Sequence, residues 1–163
     1  MFDTENFQQQ VISWQQSHGR NQLPWQQSTG ELADAAYRVL VSELMLQQTQ
    51  VATVIPYFQR WLEAFPDINT PASADEDEVM RLWQGLGYYA RARNLHKAAK
   101  YLAELPEFPA SLAELLQVPG VGRYTAGAIM SFAFDQYGPI VDGNVRRLYC
   151  RYFALSGVSH STM

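Results

Sequence analysis

The residues that most constrain this chain run Leu115-Leu116-Gln117-Val118-Pro119-Gly120-Val121-Gly122-Arg123-Tyr124-Thr125-Ala126-Gly127-Ala128-Ile129. A short apolar segment, a turn written Pro-Gly-Val-Gly and a second apolar segment predict a helix, a tight turn and another helix. Two glycines around one apolar residue allow positive φ and leave backbone N–H groups uncovered by side chains. Bare amides beside a helix N-terminus form an anion site suited to a phosphate. The same residues would also make an ordinary αα-hairpin with no ligand. Further on, Ile140-Val141-Asp142-Gly143-Asn144-Val145 places one carboxylate at the start of a third helix.

The rest of the chain predicts an all-α fold. Phe7, Val11 and Trp14 lie at helical spacing in 6–17, and Val51, Val54, Ile55, Phe58 and Leu62 do so in 49–65, where Pro56 predicts a kink or a late start. Between them 18–30 is a polar loop holding Trp25, and 31–47 is an uninterrupted helix with an apolar centre that should be buried. Ser73 followed by Glu76 predicts a capping box leading into a short helix through Val79, Met80 and Trp83. Gly85-Leu86-Gly87 is a second glycine-bracketed turn, and further helices are expected at 90–105, 111–117, 122–134 and 142–155. No stretch alternates with period two, so strands are not expected.

The chain has 163 residues, enough for one domain or two small helical lobes sharing a core, and its 47% hydrophobic and 17% charged content is that of a globular protein. Its first residues lack a signal peptide, and no run of about 18 apolar residues occurs, so a soluble intracellular protein is expected. The one cysteine, Cys150, makes neither an internal disulfide nor, by itself, a metal site.

A net charge of −4 argues at first against nucleic acid, but the charge is unevenly placed. Residues 1–78 carry three basic and eleven acidic side chains, residues 79–163 nine basic and five acidic. Arg81, Arg91, Arg93, Lys97 and Lys100 occupy 79–103 with no acid among them. They suit either a phosphate-facing surface or a solvated helix face.

Two carboxylates stand in opposite settings. Glu43 is the one acid within Val39-Leu40-Val41-Ser42-Glu43-Leu44-Met45-Leu46, where burial would raise its pKa and make it a proton donor, unless it emerges at an edge. Asp142 begins a helix, where the dipole and free N–H groups favour the ionised form, and a plain N-cap would look the same. A protonated acid with a carboxylate is the pair that glycosidic-bond cleavage uses.

Four segments resemble the signatures of the helix-hairpin-helix DNA glycosylases, and within them the adenine DNA glycosylases of the MutY type. They are Ser42-Glu43-Leu44-Met45-Leu46-Gln47-Gln48-Thr49-Gln50-Val51, Gly85-Leu86-Gly87-Tyr88-Tyr89-Ala90-Arg91-Ala92-Arg93-Asn94-Leu95, Val118-Pro119-Gly120-Val121-Gly122 and Val141-Asp142-Gly143-Asn144-Val145, in that family's order. The resemblance implies removal of adenine mispaired with 8-oxoguanine or guanine in double-stranded DNA, by a monomer that extrudes the nucleotide from the stack. It implies that Glu43 protonates adenine, that Asp142 stabilises the sugar with Asn144 orienting it, and that Tyr124 lies close by. It places Gln48 and Tyr88 in the DNA helix near the mispair, Arg91 and the Gly120-Val121-Gly122 amides on the phosphate backbone, and Trp25 and Leu46 in the adenine pocket. Endonuclease III-like relatives have Lys where Tyr124 stands, and that amine cuts the strand, so a monofunctional enzyme is expected.

The same resemblance implies a [4Fe-4S] cluster on four cysteines downstream of Asp142, none of which is present, and a C-terminal domain for 8-oxoguanine that is also missing. A proline usual before Tyr37 is Ala36 here. The chain is therefore expected to be an N-terminal fragment, cytoplasmic in a bacterium or nuclear in a eukaryote. Residues 31–134, with the hairpin at 111–134, form a nearly complete helical barrel lobe. Residues 1–30 and 135–163 belong to a truncated second lobe. A fragment that binds DNA without catalysis is the competing expectation.

Overall fold

The computed structural model describes residues 4–27 and 30–155. The expectations for 28–29 and for 156–163 lie outside the described residues. The described residues form helices α1 (Thr4–His18), α2 (Leu32–Leu46), α3 (Val51–Ala64), α4 (Asn69–Ser73), α5 (Glu76–Trp83), α6 (Ala90–Ala103), α7 (Leu112–Leu115), α8 (Arg123–Phe132) and α9 (Gly143–Tyr152), with a 3₁₀ turn at Pro24–Gln26. No strand occurs among them, as the lack of period-two alternation predicts. No described helix is long and apolar enough to cross a membrane.

Helix α2 is the axis of the fold. Its residues are apolar on most sides, so it is buried from Ala36 to Met45 save for the half-buried Arg38, and packs against α3, α6 and α8. Helices α4 and α5 close the other flank of α6. Three aromatics lock the centre: Trp61 Nε1 donates to Tyr37 Oη at 2.8 Å, Tyr37 Oη donates to the Phe65 carbonyl at 3.0 Å, and Trp61 meets Trp83 edge to face at 5.9 Å. Trp83 Nε1 donates to the Gly87 carbonyl at 3.1 Å, so the polar atom of each of the three rings is paired.

Several local expectations change. Helix α3 takes the late start, at Val51, and continues without a break through Pro56. Ser73 does not cap α5. It ends α4, donating its hydroxyl to the Asn69 carbonyl at 2.9 Å, and Asp75 holds the cap position. The short helix α4, absent from the sequence reading, starts where the Asp67 carboxylate accepts from the N–H groups of Asn69 and Thr70. A capping box does form at Ser111 and Glu114, where the Glu114 N–H donates to Ser111 Oγ at 3.3 Å and the Ser111 N–H to Glu114 Oε2 at 3.1 Å. Of the stripe on α1, Phe7 packs against the C-terminal end of α9. Phe7 lies 4.9 Å from Tyr152 and 6.3 Å from Phe153 between ring centres, while Val11, Ile12 and Trp14 stay exposed.

Candidate active site

Glu43 comes from the buried stretch of α2 and is 9% exposed. Burial raises its carboxyl pKa, and a hydrogen bond from the Tyr124 hydroxyl, which favours the ionised form, partly offsets that rise. Tyr124 stands in the first turn of α8. Its phenol is pushed up to about 12 by burial and by the charges of Glu43 and Asp142, so it lies within electrostatic reach of both acids.

Asp142 caps α9. Its Oδ1 accepts from the N–H groups of Asn144 at 2.9 Å and Val145 at 2.7 Å, and its Oδ2 accepts from Asn144 Nδ2 at 3.1 Å. Asn144 Oδ1 in turn accepts from Arg147 Nη2, which fixes the amide with its nitrogen toward Asp142. Arg147 was missed in the sequence, although its place one turn after Asn144 on the same helix face was a readable signal.

What brings Asp142 to this point is a backbone crossing. A Cβ on Gly127, in the middle of α8, would lie 2.5 Å from the Pro139 carbonyl oxygen, and one on Gly138 would lie 2.3 Å from the Gly127 oxygen. Two facing glycines thus let the segment before α9 rest directly on α8, three residues upstream of Asp142.

Two recesses meet at this pair. A cavity of about 530 Å³ is lined by Trp25, Gln26, Glu31, Val39, Ser42 and Phe132 among others, and an open cleft of about 630 Å³ by Leu46, Gln48, Thr49, Asp142 and Asn144. Glu43 and Tyr124 line both. Trp25 lies in the cavity, held edge-on against Phe58 at 5.3 Å. Leu46 lines the cleft, not the cavity that holds Trp25. The arrangement puts a buried carboxyl with a raised pKa at the junction of a cavity walled in part by Trp25 and a cleft that carries a hydrogen-bonded carboxylate.

The hairpin differs from expectation in detail. Gly120 has φ +77°, and a Cβ there would lie 2.7 Å from Asn94 Cβ on α6, so only glycine fits. Gly122 is extended, with φ −94° and ψ 178°, and serves as the N-cap of α8. Val121 is buried and its N–H donates to the Val118 carbonyl at 3.1 Å. Its N–H is therefore engaged within the turn, while the first N–H groups of α8 beside it lack intrahelical partners.

Arg91 is the larger correction. Expected on the phosphate backbone, it is 6% exposed, and its guanidinium donates to backbone carbonyls at the end of α2 and in the Gly85–Gly87 turn. Buried carbonyls left without donors would be costly, so the interior holds it. Lys97 and Lys100 are exposed on α6, and Arg93 pairs with Glu76 at 3.2 Å.

The residues present do not fit an iron–sulfur cluster. Four thiolates are needed, the chain has one cysteine, and no group of three His, Cys, Asp or Glu that could hold a metal occurs among the described residues.

The family model described as HhH-GPD superfamily base excision DNA repair protein matches residues 41–163. The chain is 45% identical to an adenine DNA glycosylase of Buchnera aphidicola subsp. Baizongia pistaciae over 92% of its own length and 42% of that protein, and 50% identical to one of Rattus norvegicus over 94% and 31%. It thus spans less than half of the length of these curated relatives. Its fold is similar to that of a thermostable thymine-DNA glycosylase, with a TM-score of 0.80, 24% identity and coverage of 94% of this chain and 72% of that one. It is likewise similar to endonuclease III in a non-covalent DNA complex, with a TM-score of 0.72, 22% identity and coverage of 91% and 68%. At such identities these two structures speak to a shared fold.

Proposed function

Because the chain belongs to the HhH-GPD superfamily of base excision DNA repair proteins, we propose that it hydrolyses the N-glycosidic bond of adenine mispaired with 8-oxoguanine or guanine in duplex DNA. The observation that carries this reading is that Tyr124 hydrogen-bonds Glu43, whose buried carboxyl has a raised pKa, and lies within electrostatic reach of the hydrogen-bonded Asp142, where the cavity opens into the cleft.

The flipped adenine enters the cavity beside Trp25 while its sugar stays in the cleft. Glu43 gives its proton to an adenine ring nitrogen, and the C1′–N bond breaks with its electron pair leaving on the base. Asp142, aimed by Asn144 and Arg147, stabilises the positive sugar. Water then adds its oxygen to C1′ and returns one proton to a carboxylate, so that free adenine and an abasic sugar remain. General acid help of this kind contributes about 10²–10⁴-fold. Tyr124 has no amine with which to form a Schiff base, so strand cleavage is at most weak. The amides of the first turn of α8 hold a backbone phosphate, which positions the DNA without reading its sequence. Residues 31–134 form the barrel lobe, and α1 and α9 belong together to a second lobe.

A single-turnover assay on a duplex with one adenine opposite 8-oxoguanine tests this. The chain is expected to release adenine and the Asp142→Asn variant to lose that release. Duplex binding without release by either protein would favour a DNA-binding module, and efficient borohydride trapping would favour a lyase.

A further inference from the structure

Gln48 and Tyr88 lie on separate loops, one after α2 and one before α6, and both are non-glycine residues with positive φ, at 57° and 49°. L side chains rarely adopt that conformation, and it persists only where the surroundings impose it. Between the two loops sits the Arg91 guanidinium. Its Nη1 donates to the carbonyls of Leu44 at 3.1 Å and Met45 at 2.7 Å, and to that of Gln47. Its Nη2 donates to Thr49 Oγ1 at 3.2 Å and to the Gly87 carbonyl at 3.1 Å, and its Nε to the Tyr88 carbonyl at 3.4 Å. The guanidinium also lies 5.2 Å from the centre of the Tyr88 ring and 5.6 Å from that of Trp83.

We propose that Arg91 is a positioning residue that joins the Gln48 loop and the Tyr88 loop into one rigid wedge. The consequence for DNA rests on the reading that these two side chains enter the duplex beside the mispair; the joining of the loops does not. One arm of the fork satisfies the last carbonyls of α2, whose helix dipole presents negative charge there. The other arm satisfies the glycine turn. Among the described residues no carboxylate pairs with Arg91, so carbonyl and hydroxyl dipoles and two aromatic faces balance its charge. Arginine suits the task because its five donors are held in one rigid plane and reach both loops at once, whereas a lysine ammonium is a point that serves one side. Exposed Tyr88 and Gln48 then approach DNA at a fixed separation, with no ordering left to the moment of binding.

Amide hydrogen exchange on the DNA-free chain, followed by single-turnover adenine release, tests the proposal with Arg91→Met and Arg91→Lys. In Arg91→Met, exchange at 47–50 and at 86–89 should rise together by at least about tenfold while α3 and α8 keep wild-type protection. Adenine release from the duplex should fall with the pH profile unmoved, because Glu43 and Asp142 are untouched. Arg91→Lys should loosen the same two segments by a smaller factor, and carries the test if Arg91→Met does not fold. Exchange that rises in one loop only, in neither, or throughout the chain would overturn the proposal. If both loops loosen and the wild-type chain releases no adenine, the joining stands and the proposed function fails.

Discussion

Gly127→Ala separates helix stability from the placement of Asp142. In an ordinary helix interior alanine is favoured over glycine by about 1 kcal/mol. Here the new Cβ would lie 2.5 Å from the Pro139 oxygen, and restoring the 3.4 Å of ordinary contact requires a shift of about 0.9 Å. Overpacking of this kind costs about 1–3 kcal/mol, so the net change lies between about zero and a loss of about 2 kcal/mol. The displaced segment is the one that carries Asp142, and a misplacement of about 1 Å at a reacting group lowers the rate on the order of 100-fold. Thermal unfolding together with single-turnover adenine release should therefore show a transition lowered by between zero and about 8 °C and a rate reduced about 100-fold. A variant that gains stability and releases adenine at the wild-type rate would refute the view that the crossing places Asp142.

Release requires protonated Glu43, so its rate should fall as pH rises through the raised Glu43 pKa. Tyr124→Phe removes a donor to the carboxylate, and the falling limb of the pH–rate profile should move to higher pH. Because burial raises the folded-state pKa of Glu43 above its ordinary 4.5, wild-type stability should decline as pH rises from that value through the raised one. Glu43→Gln does not titrate, so its melting temperature relative to wild type should climb over the same interval; a variant that instead falls relative to wild type as pH rises contradicts the burial argument. Tyr37→Phe leaves the Trp61 N–H and the Phe65 carbonyl without their partner, and denaturant unfolding should show a loss of about 1–3 kcal/mol.

The helical fold and both carboxylates were legible because their signals are local. One acid inside the apolar run 39–46 can hardly avoid burial, and an Asp-Gly-Asn after two apolar residues is an N-cap by its own chemistry. Arg91 was misread because charge normally means solvent, and what decides its place is a cluster of carbonyls contributed by two distant segments. Ser73 and Ser111 both stand three residues before a glutamate, yet only Ser111 forms the box. Ser73 is claimed by α4, which Asp67 had already started, and no window around Ser73 alone reveals that. Gly127 did carry a warning, since glycine in a helix interior weakens it and so asks for a reason. The reason, Gly138 lying across it, is tertiary.

The most direct test is one product analysis: free base and strand integrity measured together, under single-turnover conditions, for a duplex carrying adenine opposite 8-oxoguanine. The chain should yield free adenine and a strand that breaks only after alkali, and both Glu43→Gln and Asp142→Asn should yield neither. Free adenine released undiminished by either variant, or a strand cut efficiently without alkali, would contradict the proposed chemistry.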